Sequence, residues 1–181
     1  MVAYITGTID TMCRRSGYRY VPPHEYLDGQ PMKTEVPFQW SDGKHSCALV
    51  PDAVFAIDYG KRSYIAYALE ADRNTEPVAA KRWQRKSDLR TLRQYRNFIG
   101  QQQYRKAYGR KAKMMLLYIT VSQGHATTLL DLVKQELGSP AYLAVGVMEA
   151  FRTPFQPPRM PRFLFDEPLM RVGREDWVIK K

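Results

Sequence analysis

Two apolar runs, residues 53–57 and 64–69, flank the turn-forming segment Asp58-Tyr59-Gly60-Lys61, and together they predict a β-hairpin. Acidic residues edge both runs. Asp52 follows Pro51 ahead of the first, and Glu70 and Asp72 close the second. Carboxylates at the ends of buried-looking strands have to be solvated, paired or metal-bound, because an isolated buried charge is costly.

The rest of the pattern arranges itself around this hairpin. Val2, Ile5, Ile9 and Met12 recur at helical spacing and predict a helix over residues 1–15, ended by Gly17. Residues 18–21 read as a short strand broken by Pro22 and Pro23, and residues 24–27 as a single helical turn. Residues 31–37 are loop-like, and residues 36–40 alternate enough for a strand, closed by a turn at residues 41–44. With the hairpin, this gives three successive strands on short connections.

Beyond Pro77, Leu89, Leu92, Tyr95 and Ile99 form an apolar stripe, while Arg90, Arg93 and Asn97 share the period on another face. The spacing predicts an amphipathic helix over residues 86–105, one face against the sheet and the other basic. The uncharged run at residues 114–121 predicts a buried central strand. Leu129, Leu130, Val133 and Leu137 predict a second helix over residues 125–137 with Gly138 as its stop, and residues 141–147 a further strand. Five prolines between Pro154 and Pro168 mark residues 153–161 as an extended connector, followed by a terminal strand or hairpin over residues 169–179. The order predicts an α/β sandwich with a central mixed β-sheet flanked by helices. One domain spans residues 1–150, and residues 151–181 form a Pro-rich connector and a strand or hairpin packed on it.

Composition changes this picture mainly through charge. The 181 residues are 44% apolar and 25% charged, a globular balance. No apolar run approaches the roughly 18 residues needed to cross a bilayer, and the amino terminus lacks the features of a secretory signal, so a cytoplasmic protein without a membrane partner is expected. Cys13 and Cys47 are far apart, and His24, His45 and His125 are scattered, so the spacing predicts no zinc site; His125 reads as an ordinary polar residue at a helix start. The net charge is +10, and it is localised: between Lys81 and Lys113 twelve Lys or Arg face one acid, Asp88. Such a field suits a polyanion, most often nucleic acid, contacted at phosphates. Lys81, Arg82, Arg85, Lys86, Arg90 and Arg93 are the candidate DNA-binding residues. The ordinary alternative is a solvated helix face, with Tyr95, Tyr104 and Tyr108 belonging to the core.

The element order is similar to that of the restriction-endonuclease-like, or PD-(D/E)xK, nuclease fold, in which an Asp begins the second core strand and a Glu-x-Lys ends the third. Here Pro51-Asp52 lies at the first place and Glu70-Ala71-Asp72 at the second. In detail, the segments PDAVFAI and LEADRNTEP and the helix LRTLRQYRNF resemble the replication-relaxation proteins of bacterial plasmids and mobile elements, over residues 36–147. Members often carry winged-helix regions ahead of this domain, for which the chain has little room.

The resemblance implies a DNA-binding protein acting in replication, relaxation or mobilisation, with Mg²⁺ (or Mn²⁺ in its place) held by Asp52, Glu70 and Asp72, and with DNA cleavage as its chemistry. It also implies protein partners in such a complex or a homodimer. One departure stands out. Asp72 occupies the place of the motif lysine, so the positive charge has to come from the next element, where Lys86 is the catalytic candidate beside Lys81 and Arg82. The alternative is a catalytically inactive module of the same fold that binds DNA or a protein partner.

Overall fold

The computed structural model describes residues 1–148 and 163–180. In chain order it comprises α1 (Val2–Arg15), β1 (Arg19–Val21), α2 (Pro23–Leu27), β2 (Thr34–Trp40), β3 (Gly43–Leu49), β4 (Ala53–Asp58), β5 (Tyr64–Asp72), α3 (Asp88–Tyr95), α4 (Gln103–Tyr108), β6 (Lys113–Thr120), α5 (Gln123–Leu137), β7 (Leu143–Val147) and α6 (Phe163–Asp166). The predicted hairpin is the pair β4–β5, joined antiparallel from Ala53 opposite Leu69 to Asp58 opposite Tyr64.

The chain is an α/β protein with a five-stranded mixed sheet in the order β1-β4-β5-β6-β7. β1, β4 and β5 run antiparallel in turn, and β5, β6 and β7 run parallel. Alternation along each strand decides which layer its side chains join. Phe55, Ile57, Tyr67, Leu69, Leu117 and Ile119 pack with Ile5 and Ile9 of α1 and with Phe165 of α6. The opposite face is lined by small residues, Ala56, Ala66 and Ala68, and covered by Leu92, Tyr95, Leu129 and Val133 of α3 and α5. Small residues on that face let the helices approach closely. Glu70 and Asp72 continue the same alternation, so both carboxylates fall under α3 and α5.

Three expectations are corrected. The strand over residues 36–40 does not enter the main sheet. It begins earlier, at Thr34 within the segment read as loop, and pairs only with β3, a strand the sequence did not predict, to form a separate two-stranded sheet. The neighbour of β4 is instead the three-residue β1. The single helix expected over residues 86–105 is three pieces: α3, a π-turn over Arg96–Gly100, and α4, separated by Gln102 in the left-handed region at φ +60°. The π-turn brings Gly100 against the Tyr142 ring, where an added Cβ would sit 3.2 Å from a ring carbon.

The ends of α3 and α5 follow the sequence rules closely. Ser87 accepts from the Arg90 amide and Ser122 from the His125 amide, each satisfying an otherwise unpaired donor of a first turn. Gly138, at φ +69°, stops α5. The connector over residues 153–161 lies outside the described residues. Beyond it, Leu169 and Trp177 exchange backbone hydrogen bonds, and Met170 exchanges a pair with Val145 of β7. Leu164, Phe165, Leu169 and Ile179 are buried on the main core, which packs this segment on the domain. Among the described residues no helix is long and apolar enough to cross a membrane.

Arg93 ties three parts of this frame together. Its Nε and Nη2 donate to the two carboxylate oxygens of Glu136 in α5 at 2.9 and 3.0 Å, its Nη1 donates to the Gln39 carbonyl of β2, and its guanidinium lies over the Trp40 ring. A lysine carries the charge but not the planar fork. Arg93→Lys is therefore expected to lower unfolding stability by about 1–3 kcal/mol in urea titrations.

Candidate functional site

The carboxyl ends of β5 and β6, together with the first turns of α3 and α5, enclose a cluster of polar groups. Open α/β sheets commonly bind ligands outside the carboxyl ends of parallel strands. A cleft of about 180 Å³ lies there, lined among others by Asp52, Glu70, Asp72, Glu76, Lys86 and Tyr118. All three carboxylates predicted as metal ligands thus border one cleft, with Lys86 beside them. They reach it differently.

Asp52 is exposed at the amino end of β4, where its Oδ2 accepts the Ala71 amide at 2.7 Å across the hairpin. Glu70 is 5% exposed, and its Oε1 accepts the Tyr95 hydroxyl at 2.6 Å from α3. Burial pushes the Glu70 carboxyl up to about 8, against the opposing pull of the Tyr95 hydrogen bond and the Lys86 charge. Lys86 lies at the end of the loop between β5 and α3 and pairs with Glu76 at 2.7 Å. Burial works to lower the Lys86 pKa. The Glu76 hydrogen bond and the charges of Glu70, Glu76 and Asp52 together outweigh it, so the net shift is upward. The loop thus supplies a cation held in its charged form beside Glu70 and Asp52.

Asp72 belongs to a second constellation. Its Oδ1 accepts the Thr75 amide at 3.3 Å, while its Oδ2 lies 3.0 Å from His125 Nε2. The same nitrogen lies 3.3 Å from Oδ2 of Asp88, the first residue of α3. The other Asp88 oxygen accepts the Tyr118 hydroxyl from β6. Asp88 is fully buried, and burial pushes its carboxyl up to about 6, with the neighbouring charge of Asp72 adding to the rise and the Tyr118 hydrogen bond and His125 opposing it. One ligand atom from each of Asp72, Asp88 and His125 lies within 4.8 Å of the others.

Sequence reasoning left out Asp88, His125 and the two tyrosines. Asp88 is the one acid in the basic segment and follows a capping serine; His125 follows another. Both capping signals were readable. That two helix starts meet at the end of β5 was not, because the meeting is made by two crossovers.

The basic residues divide in two. Lys81, Arg82 and Arg85 are exposed on the loop between β5 and α3. Arg90 and Arg93 turn into the protein: Arg90 Nη1 donates to the Trp83 and Gln84 carbonyls at 3.1 Å each, closing that loop, and Arg93 is the clamp described above. No protein-family model, no curated protein and no solved structure matches the chain.

The raised Glu70 pKa has a measurable consequence. In the metal-free chain the folded state keeps a proton from about pH 4.5 to about 8 that the unfolded chain releases, so stability falls as pH rises through that window. Glu70→Gln keeps an acceptor for Tyr95 and removes the titration. Its loss of stability between pH 5 and 8, measured by urea unfolding in chelator, is expected to be clearly shallower than that of the parent chain.

Proposed function

We propose that the protein is a DNA-binding phosphodiesterase with a restriction-endonuclease-like core, acting on the DNA of a mobile element in replication, relaxation or mobilisation. The observation that carries this reading is the convergence of Asp52, Glu70 and Lys86 on one cleft at the junction of β4, β5 and the loop that follows. An antiparallel β1-β4-β5 meander leading into parallel β6 and β7 supports the same core order. In this reading Lys86, which lines the cleft from the loop fourteen residues on, supplies the positive charge of the lysine absent from position 72.

The donor set fits a divalent cation. Glu70 is a buried carboxyl with no ion pair among the described residues, since the nearby ammonium of Lys86 is paired with Glu76, and Asp52 stands at the start of the adjacent strand. Asp52 and Glu70 would hold Mg²⁺, or Mn²⁺ in its place, which when bound polarises a phosphodiester and activates water. The chain's own contributions are separable from that. Tyr95 fixes the rotamer of Glu70, the Ala71 amide fixes Asp52, and Lys86 places a positive charge at the rim of the cleft. Lys81, Arg82 and Arg85 provide exposed charge along the same loop for phosphate contacts.

Supercoiled plasmid incubated with Mg²⁺ or Mn²⁺ is expected to be nicked or linearised by the parent chain, and about 100-fold more slowly by the Asp52→Ala, Glu70→Ala double variant. Equal behaviour of the two sinks the enzymatic reading. Replacing Lys81, Arg82 and Arg85 by Ala is expected to reduce the slope of log affinity for DNA against log salt by about 2–3. Salt-dependent binding without metal-dependent cleavage would select the non-catalytic module instead.

A further inference from the structure

We propose that Asp72, Asp88 and His125 form a binding site for a divalent transition-metal ion of the Zn²⁺ or Mn²⁺ kind, distinct from the Asp52 and Glu70 pair. Three observations carry it. The ligand atoms Asp72 Oδ2, Asp88 Oδ2 and His125 Nε2 come from three separate elements and lie within 4.8 Å of one another. Each carboxylate is tethered through its other oxygen, Asp72 to the Thr75 amide and Asp88 to the Tyr118 hydroxyl, which leaves the free oxygen facing the shared point. Such tethering is the usual way in which protein groups orient metal-bound side chains.

The third observation separates a metal site from a simple ion pair. Asp88 has a side chain with 0% exposure and Asp72 one with 7%, yet Oδ2 of each, and Nε2 of His125, lack an aligned hydrogen-bond partner among the described residues. A protonated imidazole bonded to either aspartate would aim its Nε2 hydrogen along the line to one oxygen. Here the short distances are present and the alignment is not. Three unaligned acceptors around one point are the arrangement that a cation in the middle would satisfy, and buried polar groups are otherwise almost always paired. With a neutral imidazole the site carries two negative charges, enough to outweigh the opposing positive ends of α3 and α5.

The donor set narrows the metal. An imidazole nitrogen beside two carboxylates suits Zn²⁺ or Mn²⁺, whereas Mg²⁺ and Ca²⁺ favour all-oxygen surroundings. The ligands stand at the end of a strand and in the first turns of two capped helices, so the site is preorganised by rigid elements. It does not depend on the nuclease reading, and its failure and the failure of that reading are read in different assays.

The test uses the full chain, stripped with chelator and titrated calorimetrically with Zn²⁺, Mn²⁺ and Mg²⁺ separately. The expected result is one Zn²⁺ per chain, bound at least about ten-fold more tightly than Mg²⁺, with Mn²⁺ also filling the Asp52 and Glu70 pair as a second, separate event. His125→Gln and Asp88→Asn are each expected to weaken the tight Zn²⁺ binding by about 10–100-fold. Asp52→Ala removes a ligand of the other pair only and is expected to leave the tight Zn²⁺ binding unchanged. Parent binding no tighter than that of His125→Gln, or loss of binding in Asp52→Ala alone, overturns the proposal. Circular dichroism checks that the variants fold. Where Asp88→Asn does not, anomalous scattering from metal-soaked crystals of the parent decides: a peak enclosed by the three side chains supports the site, and its absence there overturns it.

Discussion

The cost of taking carboxylates out of water governs the layout of this protein. Glu70, Asp72 and Asp88 are all buried at the carboxyl end of the central strand β5, where no strand-pairing rule requires an acid. Each is kept there by a donor from a neighbouring element: the Tyr95 hydroxyl for Glu70, the Tyr118 hydroxyl for Asp88 and the Thr75 amide for Asp72. Tyrosine is suited to this because its ring belongs to the core while its hydroxyl reaches the acid. Both rings are themselves buried, so the polar edge is built from the same side chains that fill the hydrophobic layer. A change in how α3 packs would therefore reach the acids directly.

The same constraint explains how much of the molecule could be read in advance. The strands at the sheet centre and the two capped helices were legible because burial on both faces or on one stripe leaves a continuous or periodic apolar signal. β3 was not, since GKHSCAL has a polar, half-exposed face and pairs only with β2. The break at Arg96–Gly100 was also hidden. The apolar spacing of Tyr95 and Ile99 survives a π-turn, and the close approach of Gly100 to Tyr142 that goes with it joins residues far apart in sequence. Asp52, Glu70, Asp72 and Lys86 were found as one cleft because the hairpin carries three of them. His125 and Asp88 meet Asp72 beside that cleft through non-local crossovers, which local pattern does not encode.

Charge shows a similar division. The twelve basic residues between Lys81 and Lys113 suggest a uniform surface, but the fold uses some of them internally. Arg90 closes the loop between β5 and α3, and Arg93 bridges α3, α5 and the β2–β3 hairpin, so the exposed charge lies on the loop, at Lys81, Arg82, Arg85 and Lys86, and again around α4 and the start of β6, at Arg105, Lys106, Lys111 and Lys113. The arginine fork serves both purposes, bidentate pairing inside and phosphate contact outside, and only tertiary context separates them.

The exchange of backbone hydrogen bonds between Val145 and Met170 bears on solubility as well as shape. β7 lies at the end of the sheet, and an uncovered end offers free amides and carbonyls to any passing chain. Met170 occupies one such rung, and Leu169 crosses so closely that Gly146 has no room for a methyl group without moving both Leu169 and Ile119. At the other end, β1 presents only three residues. The sheet is thus capped on one side and clipped short on the other, a guard against strand-by-strand aggregation that the carboxyl-terminal segment supplies.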